Sequence, residues 1–86
     1  MTKVILPWSE YYNLEVCRAT IDPSPEELEN IGRLDEVVEV QDPQEVADAW
    51  YRMTRAAWTP NQDLEEREIS TKIIEESLEI LRAAAG

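Results

Sequence analysis

Residues 42–85 read DPQEVADAWYRMTRAAWTPNQDLEEREISTKIIEESLEILRAAA, and their periodicity decides the fold. Asp42-Pro43-Gln44-Glu45 is a helix start. Asp42 is placed to cap, Pro43 suits the first helical position, and Glu45 sits at the third. From there Val46, Trp50, Met53 and Ala57 recur at helical spacing, with Ala47, Tyr51, Thr54 and Trp58 as a second stripe beside them. Asp48, Arg52 and Arg55 fall opposite. Trp58-Thr59-Pro60 reads as a corner, with Thr59 as the next cap and Gln62 reaching back to it. Asp63 with Glu66 offers a competing start one turn later. Beyond it the stripe runs Ile69, Ile73, Ile74, Leu78, Ile80, Leu81 and Ala84. Glu68, Lys72, Glu75, Glu79 and Arg82 form the wet side, with Glu68–Lys72 and Lys72–Glu76 as helpful i,i+4 pairs. The pattern predicts an antiparallel helical hairpin of residues 43–57 and 60–84. Its second arm reaches about 37 Å and exceeds the first by about ten residues, so part of its stripe must cover a sheet or meet another chain.

Upstream, Asp22-Pro23-Ser24-Pro25 is another start, with Ser24 capping and Glu27 at the third position. It predicts a short helix over 25–32, with Leu28 and Ile31 inward and Gly32 as the stop. Glu36-Val37-Val38-Glu39-Val40 is rich in β-branched residues and predicts a strand over 36–40. Residues 2–6 read as a short strand or an ordered arm ended by Pro7. Within 8–21, the alternation of Tyr12, Leu14 and Val16 against Asn13 and Glu15 predicts a half-buried strand over 11–20. A helix there would place Trp8, Tyr11, Tyr12, Val16 and Ala19 on one arc. The expected class is therefore α+β and helix-dominated, with a small sheet from 11–20 and 36–40. An all-α chain, with the second helix continuing through Gly32 to Val40, is the alternative.

The 86 residues are expected to form one small domain spanning 1–86. A chain of this size buries only about 60–65% of its unfolded surface, so pairing with a copy or a partner would add stability. The net charge is −11. Residues 22–48 hold ten acids against Arg33 alone, and residues 63–79 hold seven against Arg67 and Lys72. Such a field repels nucleic acid and anionic membrane, favours a basic partner, and keeps a protein dissolved. No charged-then-apolar leader and no long apolar run is present, so neither a secretory signal nor a membrane span is expected, and the chain reads as cytoplasmic.

Chemistry has little to work with. Histidine is absent, which removes Ser-His and Cys-His catalysis and most transition-metal sites. Cys17 is the single cysteine and reads as a small buried apolar residue. No glycine-rich loop exists to cradle a phosphate. Carboxylate pairs one helical turn apart occur at Glu45/Asp48, Glu65/Glu68 and Glu76/Glu79. Their spacing is similar to that of all-α nucleotide pyrophosphohydrolases, which hold Mg²⁺ between neighbouring helices. The order differs, however, and Glu45 and Asp48 face away from the apolar arc. Asn61-x-Asp63-x-Glu65 has Glu66 where a calcium loop requires glycine. No catalytic residue, metal ligand or cofactor is expected.

The aromatic residues are the better pointer. Trp8, Tyr11, Tyr12, Trp50, Tyr51 and Trp58 are many for a chain without phenylalanine, and Trp and Tyr are enriched among binding anchors. Core packing accounts for Trp50 and Met53. Tyr51, Trp58, Arg52 and Arg55 are the candidate partner-binding residues. The expected function is a small acidic, non-enzymatic protein–protein interaction module acting through an aromatic helical face and forming an oligomer. Two alternatives use other features. One is an acidic mimic of nucleic acid, of the phage or mobile-element type, that occupies a DNA- or RNA-binding protein. The other is a Mg²⁺-dependent nucleotide hydrolase built on the carboxylate pairs.

Overall fold

The computed structural model describes residues 1–13, 16–59 and 63–85. Its elements in chain order are β1 (Thr2–Leu6), α1 (Trp8–Tyr11), β2 (Thr20–Ile21), α2 (Pro25–Glu29), β3 (Glu36–Val40), α3 (Pro43–Trp58) and α4 (Leu64–Ala85). The fold is helix-dominated α+β: a small antiparallel sheet with a long helical hairpin.

The helix starts are set by local chemistry. Ser24 Oγ accepts from Glu27 N while the Glu27 carboxylate accepts from Ser24 N, which closes a capping box with Pro25 at the first position. Asp42 Oδ1 accepts from Glu45 N at 3.1 Å, and Pro43 opens α3. For α4 the later of the two competing starts forms: Asp63 Oδ1 accepts from Glu66 N at 2.8 Å. The expected helix over 60–84 therefore begins at Leu64, while Pro60, Asn61 and Gln62 lie outside the described residues. Thr59 Oγ1 instead donates back to Arg55 O at 2.8 Å and closes the end of α3. The expected helix over 25–32 stops at Glu29. Asn30 Nδ2 takes up the Glu26 carbonyl, and Gly32 enters a turn in which Asp35 N donates to Gly32 O.

The sheet differs from expectation in its strands. Residues 36–40 pair as predicted, but their partner is β1, which sits at the centre of the order β2-β1-β3 with Thr2 opposite Val40 and Leu6 opposite Glu36. Of the strand expected over 11–20, only Thr20 joins the sheet, with Ile21, opposite Ile5 and Val4. Leu14 and Glu15 lie outside the described residues. The alternation lost to aromatic packing. A single helical turn brings Trp8 and Tyr11 to the same side, where the Trp8 ring meets Trp50 edge-on at 4.7 Å and Tyr11 lies 6.0 Å from it. Tyr12 and Val16, inward in the strand reading, are exposed.

The two layers enclose one core. Alternation on β1 and β3 turns Val4, Leu6, Val38 and Val40 to the helices. There they meet Val46, Ala49, Trp50 and Met53 of α3 and Leu81 of α4. Trp50 and Met53 are fully buried, and removing a ring of that size from a packed core costs about 3–5 kcal/mol. A polar knot ties α1 to the segment before β3. Asp35 Oδ1 accepts from both Ser9 N and Ser9 Oγ, and its Oδ2 accepts from Gly32 N at 2.8 Å. Partial burial of the Asp35 carboxyl pushes its pKa up, but these three bonds outweigh that and hold it below the ordinary carboxylate value.

Candidate functional site

The α3–α4 hairpin presents its core residues to the sheet and a second apolar surface away from it. On α4, Leu81 lies in the core and Ile74, Leu78 and Ile80 pack against it, Ile80 reaching the groove as well. At 100° per residue, Ile69, Ile73 and Ile80 lie on an adjacent stripe. That stripe meets α3 along a groove of about 580 Å³ whose α3 wall carries Arg52, Arg55 and Ala56. The groove floor is apolar and only partly covered: Ile73, Ile80 and Ala56 are half-buried, and Ile69 is 56% exposed. Its rims are charged. Arg52 and Arg55 stand on the α3 side, Glu66 and Glu76 on the α4 side, and all four side chains are exposed. Among the described residues, neither arginine forms an ion pair and neither stacks on a ring.

The structure separates the four candidate partner-binding residues. Arg52 and Arg55 line this groove. Tyr51 lies round the helix from them, half-buried, with the Arg18 guanidinium 4.5 Å above its ring. Trp58 closes α3 at the hairpin tip and is 49% exposed. The groove isoleucines are members of the α4 stripe visible in the sequence, but nothing local separates those facing the sheet from those facing α3. A stripe broader than one interface needs is the signal that could have found them.

The remaining clusters are simpler. A second cleft of about 630 Å³ runs between the end of β3 and the far end of α4, lined by Glu39, Asp42, Glu45 and Glu79 beside Val46 and Ala83. Among the described residues, no three carboxylate or thiol groups converge in a way that would hold a metal ion, and this includes the pairs Glu45/Asp48, Glu65/Glu68 and Glu76/Glu79. Cys17 is buried in the core, and its thiol donates at long range, 4.0 Å, to Pro7 O. Burial pushes that thiol above its ordinary pKa. The Trp50 indole N–H lies beside the sulfur and offsets this in part. It stands outside hydrogen-bond geometry and has no hydrogen-bond partner among the described residues. A thiol in this setting is a poor nucleophile. No helix among the described residues is long and apolar enough to cross a membrane.

Comparison with known proteins returned no family model, no curated protein and no solved structure that matches the chain.

Proposed function

We propose that the chain is a small acidic, non-enzymatic protein–protein interaction module that binds through the open side of the α3–α4 hairpin. One observation carries this reading. Three isoleucines, the exposed Ile69 and the half-buried Ile73 and Ile80, line a partly covered groove whose charged rims, among the described residues, are not paired with each other. Apolar side chains held at the surface inside a ring of charge are the anatomy of a protein interface, with an apolar centre and a polar rim. Arg52 and Arg55 are the rim residues that meet a partner's carboxylates. Trp58 extends the surface round the tip of the hairpin.

A photoreactive phenylalanine analogue placed singly at Ile73, at Ile69, or at Glu29 on exposed α2 tests this reading in cells of the native host. Adducts to protein are expected from positions 73 and 69 and not from 29. Adducts from all three alike, or from none, would refute it.

A further inference from the structure

Resting on that reading, we infer that the groove is occupied by a second copy of this chain, related by a two-fold axis parallel to the hairpin, so that two hairpins close into a four-helix bundle. The charge arrangement selects this occupant and this axis. Across the groove, the arginines stand on one wall only and the facing glutamates on the other. A face with its two signs segregated side by side is complementary to itself under one rotation and repulsive under another.

Two arrangements place hairpin on hairpin with the grooves facing. An axis perpendicular to the helices sets α3 against α3 of the copy, so Arg52 and Arg55 meet their own equivalents and Glu66 and Glu76 meet theirs. An axis along the helices sets α3 against α4 of the copy and leaves heights along the bundle unchanged. Because the arginines and glutamates line the same groove, they share a range of heights. This rotation therefore brings Arg52 and Arg55 of each chain opposite the Glu66–Glu76 wall of the other. Arg52 and Arg55 are one turn apart, about 4.5 Å of rise, and Glu66 and Glu76 span about 15 Å, so the acidic wall is long enough to receive both. Ile69, Ile73 and Ile80 of the two copies then meet between the charged rows.

The −11 charge of each copy opposes any self-association. Among the described residues, Glu66 and Glu76 are the only acids that line this groove; others lie on the cleft at the far end of α4, on α2, and on the outer side of α4 beside Arg67 and Lys72. At 0.15 M salt the Debye length is about 8 Å, so charges on the remote faces are largely screened while the apposed walls are in direct contact.

The experiment uses sedimentation equilibrium at 0.15 M salt, from about 1 µM to 1 mM, on the full chain and four variants. The wild type is expected to be a dimer in this range. Ile73→Glu weakens it on the order of a hundredfold, as loss of a central anchor does. The decisive pair is Arg52→Glu with Arg55→Glu in one chain, and Glu66→Arg with Glu76→Arg in another. Each chain alone places like charges on both apposed walls and is expected to stay monomeric. Mixed, they present opposite charges at both walls and are expected to form a heterodimer. Circular dichroism of each chain alone establishes that it is folded. Should either charge variant not fold, the wild type and Ile73→Glu decide the question. A wild-type chain monomeric at 1 mM would overturn the two-fold pairing while leaving the groove reading to the photocrosslinking result. A wild-type dimer indifferent to Ile73→Glu would overturn the groove itself. Folded charge variants that stay apart when mixed, beside a wild type that dimerises through Ile73, would overturn the pairing of charged walls across the groove. The axis is read from a chain that carries all four charge changes. An axis along the helices lets it pair with itself and not with the wild type. An axis perpendicular to them lets it pair with the wild type and not with itself, and this second result would overturn the choice of axis.

Discussion

Gly32→Ala is the most informative single test of how the fold is tied together. A Cβ at Gly32 would stand 2.7 Å from Ser9 Oγ, 3.1 Å from Asp35 Oδ2 and 3.3 Å from Asp35 Cγ. The first distance is too short to keep, so the Ser9 hydroxyl must turn away and surrender its bond to Asp35. A hydrogen bond to a charged group contributes about 1.5–3 kcal/mol, and the lower end fits a half-buried pair. Gly32 does not have a positive φ, so alanine also gains about 0.4–1 kcal/mol by restricting the unfolded chain. The net expectation is a loss of about 1 kcal/mol, or roughly 4–8 °C in Tm for a chain of this size. Thermal unfolding followed by circular dichroism at pH 7 measures it. In a Ser9→Ala background the displaced oxygen is gone, and Gly32→Ala should be neutral or slightly stabilising. The pH dependence follows from the lowered Asp35 pKa. Its stabilisation is fully present above the unfolded-state value and is lost as pH falls through the folded value, so the Gly32→Ala deficit should shrink in acid. An unchanged or higher Tm at pH 7, or the same loss in the Ser9→Ala background, would refute the reasoning.

Three further outcomes are expected. Asp63→Ala should lower stability by about 1 kcal/mol in urea unfolding, because it removes the cap of α4. Trp50→Ala should cost about 3–5 kcal/mol and leave the chain largely unfolded at 37 °C by near-UV circular dichroism, since this fully buried ring joins α1 to α3. Cys17 should react with an aromatic disulfide reagent at pH 8 only at the rate of opening, so that its labelling accelerates with denaturant; a fast stoichiometric reaction in buffer would contradict its burial.

What was legible in the chain was what is local. Ser24, Asp42 and Asp63 each bond a backbone N–H three residues on, and the spacing of Val46, Trp50 and Met53 is a property of one helix. These determine the hairpin, the short α2 and the strand over 36–40 without reference to anything distant. The candidate site was legible only in part. Helical periodicity puts Arg52 and Arg55 on the face opposite Trp50 and makes them partner-binding candidates, but it does not reveal the groove with Ile69, Ile73 and Ile80 that they border.

Only the tertiary structure decided the rest, because the forces involved act between segments far apart in sequence. Whether β1 is an arm or the central strand depends on pairing with residues some thirty-five positions away. The start of the strand expected over 11–20 gives way to α1 because Trp8 and Tyr11 find Trp50, and Ser9 finds Asp35. The register of α4 against α3 turns an over-broad isoleucine stripe into a groove and sets the arginines beside it. Periodicity determines which side chains share a face of a helix; the neighbours packed against that helix determine which part of the face remains open.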